Sequence, residues 1–175
     1  MIEGNYNIDF VTDDMLDKTV FPERSETSLA NNHWEKLNTT VPNFPKDSAI
    51  VYQAFGDQAP EWAHKIKEMF DWLEHKQVTI NKLLPGNFIP PHTDEMFKLK
   101  QSLLDKNIDI NTVELIRVTM FLTDHKLGHW INIDNQSLDN YNKGDYSFIR
   151  PGVLHTVANL GYQDRYTLQV TGTVK

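Results

Sequence analysis

The sequence contains no cysteine, and this absence removes several classes of function at once. Without cysteine there is no disulfide, no thiolate metal site, no iron–sulfur cluster and no cysteine nucleophile. Any bound metal must therefore be held by His, Asp and Glu side chains.

Long apolar runs and an excess of positive charge are also missing. No run approaches the roughly 20 apolar residues that a helix needs to cross a bilayer, so we expect no membrane span. Lys and Arg number 17 against 24 Asp and Glu, which gives a net charge of −7. Because the acids and bases are interspersed, no basic face is indicated, and nucleic acid is a poor candidate partner.

The first residues, from Met1 to Asn5, show no basic segment followed by an apolar stretch. No secretory signal is indicated, and we expect a cytoplasmic protein. The chain has 175 residues, of which 39% are hydrophobic and 23% charged. That length and balance suit one globular domain that covers residues 1–175.

The first half of the chain predicts a mixture of elements. Prolines interrupt residues 1–47, and we expect an irregular N-terminal wrap there. A short strand is predicted at 48–55. Apolar residues at helical spacing then predict one helix near residues 60–75, which packs its apolar stripe on a sheet. A half-buried strand is predicted at 77–84.

The second half predicts mostly strands. After residues 95–112, which we interpret as an inserted helix plus loop, strand-like segments recur with turn residues between them. These segments cover residues 113–123, 130–134, 145–149, 153–159 and 165–173. Such spacing is typical of a sandwich or a small barrel.

The segment Phe88-Ile89-Pro90-Pro91-His92-Thr93-Asp94 carries the first two candidate metal ligands. Consecutive prolines hold a chain extended. Alternate residues of an extended chain point the same way, so His92 and Asp94 can bind one ion from one strand. The alternative is a surface histidine beside a surface aspartate.

A second histidine, His155, follows Pro151-Gly152 in a strand-like run and shares a face with Val153 and Val157. A core histidine that bonds to backbone is the plainer interpretation of that position. Two histidines and one carboxylate nevertheless make the ligand set that binds non-haem Fe(II) and leaves positions open for a chelating ligand and oxygen.

Two arginines are candidates for binding an anion. Arg165 opens a predicted strand and shares a face with Thr167, and a guanidinium fork with a nearby hydroxyl suits a carboxylate. The alternative is the solvent face of an antiparallel strand. Arg117 shares its strand face with apolar neighbours, so it needs an anion or other acceptors. A structural ion pair is the alternative for Arg117.

Several motifs together resemble the Fe(II)/2-oxoglutarate-dependent dioxygenases. They are the proline-rich approach to His92-x-Asp94, the run Arg117-Val118-Thr119, and Pro151-Gly152-x-x-His155 followed by Arg165. Within that superfamily the chain is most similar to the aspartyl/asparaginyl β-hydroxylase branch. The resemblance covers about Val78 to Thr173. It implies a mainly β, double-stranded β-helix (cupin-like jelly-roll) core over about residues 48–175, with one or two buttressing helices.

The resemblance also implies a role for each matching residue. The iron ligands would be His92, Asp94 and His155. Arg165 would bind the distal carboxylate of 2-oxoglutarate, and Arg117 would lie near its keto-acid end. Further residues expected at the cosubstrate are Thr119, which stands where some members have a histidine, Thr167 and the cavity-wall candidate Trp130. The implied cofactors are Fe(II), 2-oxoglutarate and O2, and no side chain beyond the metal ligands is expected to act in catalysis.

The implied function is hydroxylation of an amino-acid side chain, Asp/Asn or Pro, in a protein, a peptide or a free amino acid, with another small molecule as a further option. The insertion 95–112 and residues 1–60 are where we expect a substrate pocket. One alternative is a cupin-type metalloenzyme without 2-oxoglutarate, an isomerase or hydrolase. The other is a non-catalytic β-sandwich that binds a ligand or protein.

His125 and His129 could suggest a second metal, but we expect them to be solvated loop histidines.

Overall fold

The computed structural model describes residues 1–25 and 49–175, and two antiparallel sheets dominate that part of the chain. The strands are β1 (Gly4–Asn5), β2 (Glu23–Ser25), β3 (Ile50–Phe55), β4 (Leu73–Leu83), β5 (Phe88–Thr93), β6 (Leu115–Phe121), β7 (His129–Ile133), β8 (Gln136–Leu138), β9 (Asp145–Ile149), β10 (Leu154–Asn159) and β11 (Arg165–Val174). The helices are α1 (Asp13–Lys18), α2 (Glu61–Met69) and α3 (Phe97–Asp105).

The strands divide between a large and a small sheet. The large sheet has the order β1-β9-β6-β11-β4-β3-β2, and the small sheet has the order β5-β10-β7-β8. Leu83 and Phe121 of the large sheet pack with Ile131 and Val157 of the small one, so the sheets face each other across a shared interior. The predicted double-stranded β-helix (cupin-like jelly-roll) fold is confirmed.

Helices cover the outer face of the large sheet. Trp62 and Ile66 of α2 belong to one apolar cluster with Ile80 and Leu168 of the sheet, and Leu16 of α1 joins it. Burial of this stripe, at about 25 cal/mol per Å² of apolar surface, holds the helices in place. The predicted buttressing helix is confirmed in this part of the chain. No helix within residues 1–25 and 49–175 is long and apolar enough to cross a bilayer.

Alternation along the strands gives the large sheet two different faces, because successive side chains of a strand point to opposite sides. The outer face carries apolar side chains, namely Val78, Ile80, Val118, Met120, Leu168 and Val170. The inner face borders a cavity and, beside apolar residues such as Leu83, carries many polar ones, namely Gln77, Thr79, Asn81, Arg117, Thr119, Arg165, Thr167, Gln169 and Thr171.

The predicted helix near 60–75 is too long. Helix α2 ends at Met69, and the backbone leaves helical geometry at Phe70, with φ −84° and ψ 66°. Leu73 already belongs to β4, where it pairs with Val174. Phe70 and Leu73 are both buried, so the apolar spacing continued past the point where the backbone changed from helix to strand.

The first part of the predicted irregular wrap at 1–47 contains the short elements β1, α1 and β2. Thr12 caps α1 by accepting a hydrogen bond from the Met15 backbone N–H at 3.3 Å, and Asp13 and Asp14 stand in the first turn, where the helix dipole favours acids. Strands β1 and β2 extend the large sheet. Residues 26–47 of the wrap, and residue 48 of the next predicted strand, lie outside the described residues.

The insertion at 95–112 contains a helix and a loop, as expected. Helix α3 places Leu99 and Leu103 in a small apolar cluster with Leu115 of β6. The helix therefore lies against the large sheet, and residues from it and from the segment before it reach the cavity.

Candidate metal centre

His92 of strand β5 and Asp94, the first residue after that strand, face the same cavity, as the sequence predicts. The strand contains Pro90 and Pro91 and lies at the edge of the small sheet, where a missing N–H disrupts the sheet least. The side chains of His92 and Asp94 are both largely buried, and both line the cavity.

Antiparallel pairing of β5 with β10 brings the third predicted ligand to the same place. His155 stands opposite His92 in the register, and the centroids of their rings are 4.2 Å apart. Nε2 of His92 lies 3.8 Å from Oδ1 of Asp94, and Nε2 of His155 lies 3.4 Å from Oδ2. One ligand atom from each of the three residues lies within 4.8 Å of the others.

Backbone carbonyls fix the protonation of both imidazoles. Nδ1 of His92 is 2.7 Å from the Pro90 carbonyl oxygen, and Nδ1 of His155 is 3.0 Å from that of Val153. A carbonyl only accepts, so each Nδ1 carries a proton, and in the neutral ring Nε2 is then the nitrogen with a lone pair for a metal. A metal-binding histidine is oriented in this way by its second nitrogen.

The electrostatics favour a neutral histidine beside an ionised carboxylate. Burial, helped by the nearby His155, lowers the pKa of His92 to about 4. Burial alone would raise the pKa of Asp94, but contact with His155 and the charge of Arg117 hold it below its usual range. Two imidazole lone pairs and an anion then converge on one point, which suits a divalent cation. The donor set therefore fits a metal.

Arg117 contacts the carboxylate of this cluster directly. Its Nη1 donates to Oδ2 of Asp94, and its Nε donates to the Thr171 hydroxyl at 3.0 Å. The ion pair that the sequence left open for Arg117 therefore exists, with Asp94 as its partner. Since Arg117 also lines the cavity, it joins the metal cluster to the polar face of the large sheet.

Arg165 supplies a buried positive charge elsewhere on the cavity wall. The residue is 4% exposed, and its Nε and Nη2 have no hydrogen-bond partner among the described residues. These two nitrogens point their N–H groups along the same edge of the guanidinium, the arrangement that binds a carboxylate through two parallel hydrogen bonds. Burial lowers the pKa of Arg165, so an unpaired charge here is costly unless an anion meets it.

The cavity between the sheets has a volume of about 330 Å³ and collects most of the predicted residues. The three candidate metal ligands, both arginines, Thr119 and Thr167 all line it. The Thr119 hydroxyl is buried without a hydrogen-bond partner among the described residues, so it is free for a ligand. Residues 95–99 of the insertion also border the cavity, in line with a pocket built partly from that segment.

The structure does not bring Trp130 to the cavity. Ile131 and Ile133 of β7 point inward, so the intervening positions face outward. Trp130 is 37% exposed, and its Nε1 donates to the Ser137 hydroxyl at 3.2 Å.

Sequence reasoning missed a second layer of residues around Arg165. His129, expected to be a solvated loop residue, opens β7 and is buried, and Tyr141 is buried beside it. Neither has a neighbour in sequence that signals this role. The polar inner residues of β3 and β4, including Gln53 and Asn81, were missed too, although their alternation with apolar residues is visible in the sequence.

Comparison with known proteins bears on the fold. No family model and no curated protein matches the sequence. Among solved structures, a prolyl-4-hydroxylase from Pseudomonas putida is 14% identical with a TM-score of 0.52, over 93% of this chain and 96% of that one.

Two further neighbours are more distant in shape. A putative sugar phosphate isomerase from Acidithiobacillus ferrooxidans is 10% identical with a TM-score of 0.47, over 93% of this chain and 73% of that one. A predicted oxalate decarboxylase from Thermotoga maritima is 16% identical with a TM-score of 0.43, over 71% and 82%. Sequence identities this low bear on the fold alone, and the function must be argued from the site. The chain has a cupin-like double-stranded β-helix fold, with a buried His92, Asp94 and His155 cluster that can hold a metal.

Proposed function

We propose that this protein is an Fe(II)/2-oxoglutarate-dependent oxygenase that hydroxylates an amino-acid side chain. One observation carries the proposal: a His, Asp, His cluster lines the same cavity as a buried arginine, two of whose nitrogens have no partner within the described residues. A metal cluster alone would serve many reactions. The orphaned guanidinium edge is what requires an acidic ligand in addition to the metal.

In this proposal His92, Asp94 and His155 hold Fe(II), and three protein ligands leave coordination positions open for a chelating keto acid and oxygen. Arg165 receives the distal carboxylate through Nε and Nη2, and Thr167 lies beside it on the same strand face. Arg117 and Thr119 line the cavity between these groups and are assigned to the keto-acid end. When bound, iron would activate O2, which is the oxidant for hydroxylation, and 2-oxoglutarate would supply the two further electrons that the reduction of O2 requires; no side chain of the protein can provide this chemistry.

The protein's own residues then have three tasks. Carbonyls of Pro90 and Val153 hold the two imidazoles in the ligating tautomer. Arg117 orients the carboxylate of Asp94 and offsets its charge. The surrounding walls, including Ile89 and Ile131, exclude water from the space in which the substrate side chain would lie.

The substrate is proposed only as a class. A cavity of about 330 Å³ is at the small end of ligand pockets. It suits a small keto acid together with one side chain of a protein, a peptide or a free amino acid. Asp, Asn and Pro side chains are the proposed acceptors.

The test is an anaerobic titration of Fe(II)-loaded protein with 2-oxoglutarate, followed by the visible charge-transfer band that a chelated keto acid gives. A saturable band is expected. In Arg165→Ala the band remains, but affinity for 2-oxoglutarate falls by about 1.5–3 kcal/mol, the range for a hydrogen bond to a charged group.

The matched control is Arg150→Ala, since Arg150 is exposed and pairs with Glu114 on the surface. It should titrate like the wild type. Absence of a band in protein that still binds iron would contradict the proposal and favour a cupin-type metalloenzyme that does not use 2-oxoglutarate.

A further inference from the structure

A buried aromatic and histidine layer lies against Arg165. The ring of Tyr141 stacks on Phe121, with centroids 3.7 Å apart and an interplanar angle of 13°. The guanidinium of Arg165 lies 5.7 Å from the centroid of that same Phe121 ring. Tyr141 is 3% exposed, so its hydroxyl must find partners inside the protein.

One partner of that hydroxyl is His129. The Tyr141 hydroxyl lies 3.4 Å from Nδ1 of His129, and Nε2 of His129 lies 3.1 Å from the carbonyl oxygen of Gln163. The carbonyl only accepts, so Nε2 carries the proton. Burial lowers the pKa of His129, which keeps the ring neutral. Nδ1 is then an acceptor, and the Tyr141 hydroxyl donates to it.

The second partner is Arg165. Burial lowers the pKa of Arg165, and the charge interaction and hydrogen bond with Tyr141 oppose that effect. Within residues 1–25 and 49–175, Nε and Nη2 have no partner, so we assign the interaction with the Tyr141 oxygen to Nη1. Because the Tyr141 proton is used on His129, the phenol offers Arg165 its lone pairs and has no proton left for an incoming anion.

The two edges of the Arg165 guanidinium therefore have different surroundings. We place Tyr141 at the Nη1 end, the Phe121 ring lies near the guanidinium carbon, and the Nε and Nη2 edge has no partner in the described part of the chain. An arginine side chain has several rotatable bonds, and fixing it before the ligand arrives reduces the entropy that binding must supply.

Building on the proposed function, we propose that Tyr141 and His129 are positioning residues for the distal carboxylate of the keto acid. They hold Arg165 so that its Nε–H and Nη2–H form the carboxylate site, and the carboxylate is bound by Arg165 without a hydrogen bond from Tyr141. Selectivity for a keto acid with a second carboxylate therefore depends on two residues that do not touch it.

The test compares two keto acids by calorimetric titration of Mn(II)-loaded protein. 2-Oxoglutarate has the distal carboxylate, whereas 2-oxobutyrate lacks it and reports on chelation alone. Tyr141→Phe and His129→Phe should each reduce the preference for 2-oxoglutarate about tenfold, the scale of one hydrogen bond. Affinities for Mn(II) and for 2-oxobutyrate should stay unchanged, which a general disturbance of the fold would not allow.

Matched variants sharpen the result. His129→Asn puts an amide oxygen near the position of Nδ1, and it should keep most of the preference that His129→Phe loses. Tyr162→Phe is the control for a lost phenol oxygen, because Tyr162 is 94% exposed. In an Arg165→Met background, Tyr141→Phe should cause no further loss, since its effect passes through Arg165.

The outcomes separate the two proposals. If wild type prefers 2-oxoglutarate and Arg165→Met abolishes the preference, but Tyr141→Phe and His129→Phe retain it, the positioning role is overturned and the proposed function stands. If wild type shows no preference, the proposed function itself fails. Should His129→Phe not fold, Tyr141→Phe, which removes a single oxygen atom, decides the matter.

Discussion

The two faces of the large sheet differ more from each other than the large sheet differs from the small one. On the outer face, side chains such as Val118 and Leu168 are fully buried under α2 and the N-terminal segment. On the inner face of the same strands, Thr119 and Arg165 are also buried, yet both carry polar atoms with no partner among residues 1–25 and 49–175. Residues on both faces are therefore buried, but the inner face carries buried polar atoms that lack a hydrogen-bond partner.

The comparison teaches how the fold divides stability from function. Apolar burial on the outer face stabilises the protein. Unpaired polar groups on the inner face cost stability, because each has lost its water without gaining a protein partner. A protein retains such groups where a ligand completes them. The small sheet adds the metal cluster at one side of the same cavity.

The largest effect is expected from breaking the metal cluster. His92→Ala, Asp94→Ala and His155→Ala should each abolish stoichiometric Fe(II) binding, since two remaining ligands do not hold the ion against water. Metal content after anaerobic loading and desalting measures this. His64→Ala, on α2 and outside the cluster, is the control and should retain the metal. Undiminished iron in all three ligand variants would refute the site.

The next largest effect is expected on stability, from a substitution on the apolar outer face of the large sheet. Leu168→Ala should lower the free energy of unfolding by about 2–5 kcal/mol, the range for a fully buried leucine that leaves a cavity. Urea unfolding measures the change. Thr167→Ser, one position away on the cavity side, removes one methyl group and should cost only about 1 kcal/mol. Equal losses of unfolding free energy in the two variants would contradict the proposed difference between the two faces.

A gain in stability is expected when the buried charge is removed. Arg165→Met should raise the free energy of unfolding of the ligand-free protein by about 1–3 kcal/mol, because it replaces a desolvated cation with an apolar chain. Arg150→Met, at an exposed ion pair, should change it by less than about 0.5 kcal/mol. A loss of stability in Arg165→Met would mean that Tyr141 and Phe121 satisfy the guanidinium fully.

The smallest effect is at Thr119. Thr119→Val replaces an unpaired buried hydroxyl by a methyl group and should raise stability by up to about 1 kcal/mol. Thr156→Val is the matched control, because the Thr156 hydroxyl donates to the Ile89 carbonyl at 2.8 Å. That variant should lose about 1 kcal/mol. Paired melting curves give the sign of the stability change in each variant. Opposite signs are expected, and equal signs would contradict the difference between the two hydroxyls that the structure indicates.

Period-two alternation made much of the fold predictable. The assignment of Arg117 and Thr119 to one face of β6, and of Arg165 and Thr167 to one face of β11, follows from local spacing alone and is confirmed. Local spacing also placed His92 and Asp94 on one side of an extended segment, which the structure forms from β5 and the residue that follows it. The meeting of those two with His155 depends on long-range pairing of β5 with β10, which spacing does not specify, and it was reached through the family resemblance.

The remaining errors have physical causes of the same kind. Leu73 fits the apolar stripe of a helix and the buried face of a strand equally well, so the end of α2 was misplaced. Trp130 was given the wrong side because its alternation with Ile131 and Ile133, which point inward, was not used. The burial of His129 against Tyr141 depends on how the segment that contains Tyr141 packs on the start of β7, and local sequence carries no signal for that.

Ligands are expected to pair with the polar groups of the inner face. The most direct test of this pairing is a crystal structure of the protein with Mn(II) and 2-oxoglutarate. The account predicts one metal ion, identified by anomalous scattering, bound by Nε2 of His92, a carboxylate oxygen of Asp94 and Nε2 of His155. It also predicts the distal carboxylate on Nε and Nη2 of Arg165. Metal bound elsewhere, or 2-oxoglutarate absent from Arg165 in a metal-loaded crystal, would contradict it.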